Sequence, residues 1–139
     1  MCEAADQASG PLERARRVQL HAAAFGFDWP DTSGVLHKVR EETDEIQGAL
    51  ERHDMIGAQR ELGDLLFSAV NLARFLNVDP RAALAHAVAR FEQRFELLRE
   101  TIERSGRSMK DCSLEQLDEV WERVKTGKGL SHQASQEGP

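Results

Sequence analysis

The stretch RELGDLLFSAVNLARFL, near the middle of the chain, constrains the fold more than any other. Wound as a helix from about Asp54 to Leu76, it is apolar around most of its circumference. Met55, Ile56, Leu62, Leu65, Leu66, Phe67, Ala69, Val70, Leu72, Ala73 and Leu76 leave no wide polar face. Such a helix is expected to be central and buried. Yet Glu61, Asp64, Ser68 and Asn71 recur at steps of three, four and three, which stacks them into a single polar stripe. Acids in the middle of a buried helix need counter-charges or a metal ion.

The preceding helix carries a matching pair. It is predicted to begin near Ser33, read as its N-cap, and to run to about Arg52. At ~100° per residue, Val35, Leu36, Val39, Ile46 and Leu50 form its apolar stripe. Glu42 falls inside the edge of that stripe, Glu45 lies near it, and Glu41 sits on the outer side of Glu45. A short connection around His53 to Gly57 makes the two helices antiparallel neighbours. Glu42-x-x-Glu45 and Glu61-x-x-Asp64 then aim four carboxylates into one pocket. Structural salt bridges to Arg or Lys, or a solvated ion-pairing face, are the competing accounts of these acids. Hard oxygen donors suit Mg²⁺, with Mn²⁺ as a substitute, rather than zinc or copper. A di-iron bundle expects Glu-x-x-His pairs, and none of His21, His37, His53, His86 and His132 follows a glutamate by three residues.

Carboxylate-held Mg²⁺ usually keeps positions open for phosphates, so basic groups should accompany it. Arg90 and Arg94 lie one turn apart on the flank of an apolar stripe, and Lys125 lies one turn beyond Trp121. Taken singly, each cation reads as a snorkelling side chain and Trp121 as core. Beside a phosphate site, an aromatic could also cover a base or ribose.

The rest of the chain reads as helix and connection, with no convincing strand. Residues 1–11 form a small, polar lead-in ending in Gly10-Pro11, expected to be flexible. A first helix spans about Leu12 to Phe25, followed by FGFDWPD, where Pro30 stops the helix and Asp28 and Asp31 favour turns. Asn77 closes the third helix, and Asp79-Pro80 opens the fourth. That fourth helix carries Leu84, Val88, Phe91, Phe95, Leu98 and Ile102 in steps of four and three and ends at Ser105-Gly106. Ser113 with Gln116 forms a capping-box signature for a fifth helix bearing Leu117, Val120, Trp121 and Val124. Residues 126–139 lose all periodicity and are expected to be a disordered tail. The expectation is one all-α domain over residues 12–125, with about five helices.

Charge and cysteines exclude several classes. A formal net charge of −6 over 139 residues argues against a nucleic-acid partner, which calls for a basic face. Cys2 and Cys112 stand far apart with no CxxC, so neither a disulfide scaffold nor a zinc knuckle is expected. The beginning of the chain lacks the apolar core of a secretory signal, and no run approaches the ~18 apolar residues of a membrane span. A reducing, cytoplasmic setting without membrane contact is the expectation.

The blocks FGFDWPD, KVREETDEI, RELGDLLFSAVNLARFLNVDP, ARFEQRF and VWERVK occur in an order and spacing that resembles the MazG family of nucleoside triphosphate pyrophosphohydrolases. The likeness covers about Leu12 to Lys125 and is strongest to the catalytic C-terminal half of two-domain members. It implies a MazG-like helical bundle working as an intertwined homodimer. It implies hydrolysis of an NTP or dNTP to the (d)NMP and pyrophosphate, a house-cleaning reaction on the nucleotide pool. Metal binding carries over to Glu42, Glu45, Glu61 and Asp64. Lys38 and Glu41 match positions near the metal, and Glu41 or Glu45 could act as base toward a water attacking the α-phosphorus. Arg94, Trp121 and Lys125 match nucleotide-associated positions, and Asn71 falls in the VNLAR block. Arg90 stands where a Lys is usual, Arg60 where many relatives have Glu, and Val88 where many have Asn. Relatives specific for dUTP, dCTP or phosphoribosyl-ATP share the acid pairs, so they are the nearest rival reading. A non-catalytic helical protein-interaction module is the rival from another class.

Overall fold

The computed structural model describes residues 10–127. The expected lead-in and tail therefore fall largely outside the described residues. All regular structure among these is helical: α1 (Gly10–Ala24), α2 (Thr32–Glu51), α3 (Met55–Phe75), α4 (Pro80–Arg104), a 3-10 turn (Met109–Asp111) and α5 (Leu114–Thr126). No helix among the described residues is long and apolar enough to cross a membrane. The chain divides into two compact units, Met1–Ala83 and Leu84–Pro139.

The boundaries follow local chemistry. Asp31, rather than Ser33, caps α2: its carboxylate accepts from the Ser33 amide at 2.8 Å and from the Ser33 hydroxyl. Asp31 sits in extended backbone one residue before the first helical residue, Thr32, which is where an N-cap belongs. Asp54 caps α3 by accepting from the Gly57 amide. A Cβ at Gly57 would lie 2.2 Å from Asp54 Oδ2, so any larger residue would push the capping carboxylate aside. Asn77 ends α3 in the left-handed region at φ 55°, as its residue type favours. Asp79 accepts from the Arg81 amide at 2.9 Å, at the start of α4. The predicted capping box is present, with Ser113 and Gln116 each bonding the other's backbone.

In the first unit α2 and α3 pack along their length, joined by the short turn at residues 52–54, and α1 lies against α3. The buried seam uses Val35, Ala49, Ala58 and Val70. The pairing of the two helices brings acids from both to one place. The expectation of a wholly buried α3 is met on one flank only. Leu62, Leu66 and Phe67 remain about half exposed, with Leu66 at 57%. In the second unit Leu98 and Ile102 of α4 meet Val120 and Val124 of α5, with Met109, Cys112, Leu117 and Trp121 packed around them. The α4 stripe is thus buried at its C-terminal end, whereas Leu84, Val88, Phe91 and Phe95 stay exposed.

Candidate active site

The α2–α3 seam brings Glu42, Glu45 and Glu61 together, with one carboxylate oxygen of each within 4.8 Å of the others. Glu42 is the deepest, at 2% exposure. One of its oxygens lies 2.6 Å from Lys38 Nζ, one helical turn earlier. Its other oxygen, Oε2, is buried with no hydrogen-bond partner. A buried carboxylate oxygen left unmatched is costly, and here it belongs to a trio of hard donors. Those donors fit a magnesium-like dication. Asp64, the fourth acid expected at the metal, is exposed on α3 three residues beyond Glu61 and is not part of this trio.

The electrostatics of the trio are those of crowded carboxylates. Glu45 is held above the ordinary carboxylate range, first by its hydrogen bond with Glu61 and then by the charge of Glu61, desolvation, Glu42 and Glu41. Glu61 is held below that range. Desolvation pushes it up, but hydrogen bonds from Glu45 and Arg60, with the Arg60 charge, outweigh that push. Lys38 is held above its ordinary value, mainly by its bond to Glu42, and it also reaches Glu41 at 3.3 Å. Lys38 is therefore the counter-charge of the buried acid, a role that spacing alone left open.

Two cavities flank the acids. The polar one, of about 610 Å³, takes in Glu41, Glu45 and Glu61 together with Arg40, Arg52 and Arg60. The other, about 450 Å³, is mostly apolar, lined by Val18, Phe27, Trp29, Val35 and Phe67 with Gln19, Lys38 and Asn71 among its polar groups. Lys38 lines this cavity and bonds Glu42, so the apolar cavity adjoins the acid cluster.

The FGFDWPD loop, read from sequence as a turn, is a wall of that cavity. Asp28 accepts two hydrogen bonds from Arg74, at 2.9 and 2.5 Å, stapling the loop to α3. Trp29 then folds over the start of α2 at Gly34, where a Cβ would lie 2.6 Å from the ring. Sequence reasoning singled out Asn71 but missed Gln19, Asp28, Trp29 and Arg74. The signals were present: a tryptophan between two turn-forming acids, and an arginine one turn after Asn71 in an otherwise apolar helix.

The remaining expected contacts, Arg90, Arg94, Trp121 and Lys125, belong to the second unit. Trp121 packs on Phe91 with ring centroids 5.4 Å apart, and Lys125 pairs with Glu122 at 2.8 Å. Arg90 is exposed and Arg94 half-buried on α4.

Comparison with known proteins agrees with this geometry. Residues 32–97 match the MazG nucleotide pyrophosphohydrolase domain, a span that holds all four expected metal acids. A Thermotoga maritima protein named nucleoside triphosphate pyrophosphohydrolase/pyrophosphatase MazG is 46% identical over 116 residues, covering 84% of this chain and 44% of its own length. An Escherichia coli nucleoside triphosphate pyrophosphohydrolase is 39% identical over 116 residues, covering 82% of this chain and again 44% of its own length. The chain thus spans less than half the length of these relatives. With the acid-bearing helix pair and the all-helical architecture both in place, the chain belongs to the MazG family.

Proposed function

We propose that this chain hydrolyses nucleoside triphosphates to the monophosphate and pyrophosphate with the help of Mg²⁺, clearing unwanted (d)NTPs from the nucleotide pool. The observation that carries the reading is the trio Glu42, Glu45 and Glu61, one of whose oxygens is buried and unmatched beside a nucleotide-sized apolar cavity. These acids, joined by Asp64 from the next turn of α3, would hold the cation. Bound there, Mg²⁺ would neutralise triphosphate charge and make water a better nucleophile.

The chain's own groups divide the remaining work. Lys38 fixes the Glu42 carboxylate in position. Glu41, half-exposed and 3.3 Å from Lys38, stands at the edge of the polar cavity, where it can accept a proton from water, and Glu45 is the second candidate base. The base and ribose fit the apolar cavity, with Trp29 and Phe27 as flat walls and Asn71 as a polar contact. Arg90, Arg94, Trp121 and Lys125 are proposed to hold the far phosphates and the nucleotide. The identities of the relatives support this reaction. Exposed Leu62, Leu66 and Phe67 on α3, with Leu84, Val88, Phe91 and Phe95 on α4, support a homodimer that covers them.

The test is a panel of ribo- and deoxyribonucleoside triphosphates with Mg²⁺, scored for pyrophosphate against orthophosphate. Pyrophosphate release that drops at least ~100-fold in Glu61→Gln is expected from losing a group that stabilises transition-state charge through the metal. Orthophosphate as the product, or full activity in Glu61→Gln, would overturn the assignment. Sedimentation should give the mass of a dimer, and Leu66→Glu should shift it toward monomer.

A further inference from the structure

The two amide side chains of the apolar cavity are locked in opposite senses. Gln19 donates from Nε2 to the Phe67 carbonyl at 2.8 Å. A carbonyl can only accept, so the nitrogen must face Phe67 and Oε1 must face elsewhere. Gln19 is 6% exposed, and that Oε1 is buried with no hydrogen-bond partner. Asn71 is fixed the other way. Its Oδ1 accepts from Arg74 Nε at 3.0 Å and from Nη2 at 2.8 Å. A guanidinium can only donate, so the Asn71 oxygen is occupied and Nδ2 is the group it can offer. Arg74 cannot turn to release it, being held by its paired bonds to Asp28.

An unconstrained amide suits donors and acceptors alike, because it can flip. Neither of these can. Both side chains line the same cavity of about 450 Å³, whose other walls are largely apolar. In such surroundings a polar group that finds its partner contributes to binding, and one that does not penalises the wrong ligand.

We propose that Gln19 and Asn71 are specificity-determining residues: a fixed acceptor and a fixed donor that read the polar edge of a nucleobase. This rests on the cavity being the base site described above. The ligand is a planar heterocycle carrying both an N–H donor and an acceptor at its edge. A base stripped of that N–H leaves Gln19 Oε1 as unpaired as before and gains nothing from it. The site therefore selects for bases with an intact hydrogen-bonding edge and against edge-alkylated ones.

The test compares each natural nucleotide with the analogue lacking its edge N–H. The pairs are adenosine with purine riboside, cytidine with pyrimidin-2-one riboside, uridine with N3-methyluridine and guanosine with N1-methylguanosine. Monophosphates are measured by calorimetry and triphosphates by kcat/KM. The wild-type chain should discriminate at least one pair by about tenfold, the size of one hydrogen bond regained. In Gln19→Met that ratio should collapse toward one, whereas a purely structural Gln19 would weaken both members alike. No discriminated pair in the wild type, or a ratio that survives Gln19→Met, overturns the proposal. Discrimination in monophosphate binding without pyrophosphate release would instead leave the base reading standing and remove the hydrolase.

Discussion

Glu45 and Glu61 face each other across the α2–α3 seam with carboxylate oxygens within 4.8 Å, the first held above the ordinary carboxylate range and the second below it. Of the two, Glu45 is the carboxyl on which a proton shared by the pair would sit, at pH below its raised pKa. Because folding raises the Glu45 pKa, the unfolded chain gives up that proton first. Stability is then lost as pH climbs from the ordinary Glu value of about 4.3 toward the folded pKa, and it stays lost above. A dication binding at the trio must displace the proton. The Mg²⁺ concentration for half-maximal activity should therefore rise as pH is lowered into the range where Glu45 takes up its proton, and Glu45→Gln should melt higher than the wild type at pH 7 when no metal is added. Mg²⁺ titrations across pH, with melting curves of the variant, check both. A midpoint that ignores pH, or a Glu45→Gln protein that melts lower, would show that no proton is shared.

Gly34 sets where the Trp29 ring can lie. A methyl group there would come within 2.6 Å of the ring carbon Cε3, far inside any contact distance. The ring is rigid and cannot yield at its tip, so Gly34→Ala must move the whole indole off α2 and into the neighbouring cavity. The expected result is a KM raised several-fold with kcat nearly unchanged, since the indole lines the apolar cavity and not the acid cluster. Trp29 fluorescence should shift alongside. Equal KM values for Gly34→Ala and wild type would mean that the indole is not part of the nucleotide site.

Much of this arrangement was written in periodicity. The three-four-three stripe of Glu61, Asp64, Ser68 and Asn71, and the Glu42/Glu45 pair before it, were enough to place acids at one helix seam. Asn77, Asp79 and Ser113 marked helix ends, because their conformations and side chains act on the nearest backbone and depend on nothing distant. Pairings between residues far apart in sequence were not legible. Asp28 reaches Arg74 across 46 positions, and Gln19 reaches Phe67 across 48, distances at which local pattern carries no information. Nor could spacing separate Asp64 from the trio. On a helix wheel it is Glu61's neighbour, but carboxylate convergence depends on the crossing of two helices. The exposure of Leu62, Leu66 and Phe67 on α3 was illegible for a similar reason: an apolar stripe in sequence does not name what packs against it.

The capping box at α5 offers a stability measurement away from the site. Ser113 accepts from the Gln116 amide, and Gln116 Oε1 accepts from the Ser113 amide at 3.0 Å. Ser113→Ala removes one of these reciprocal bonds and should cost about 1 kcal/mol. The α5 side of the second-unit core, Val120 and Val124, loses its anchor with it. Denaturant unfolding should show a lower midpoint with an unchanged slope. A loss below the error of that measurement would mean that the cap is made but not needed.

The Asp28–Arg74 staple should act on affinity through pH. Asp28 is held below the ordinary carboxylate range, chiefly by its hydrogen bond from Arg74, with the Trp29 amide and the Arg74 charge adding to it against desolvation. A depressed folded pKa stabilises the fold above the unfolded value, about 3.9, and that contribution disappears as pH falls through the folded one. The staple is therefore complete at neutral pH, and protonation releases the loop only in strong acid. Asp28→Asn makes the same release at pH 7. Because the pair is partly exposed, the melting temperature should change little. What should change is the wall of the apolar cavity: Trp29 loses its tether, and Arg74 is free to leave Asn71. KM should rise roughly tenfold, the size of one mispositioned contact, while kcat holds. Asp28→Glu, which keeps the charge one methylene further out, should recover part of the loss. If Asp28→Asn binds nucleotide as tightly as the wild type, the loop is held by its packing and the ion pair is incidental.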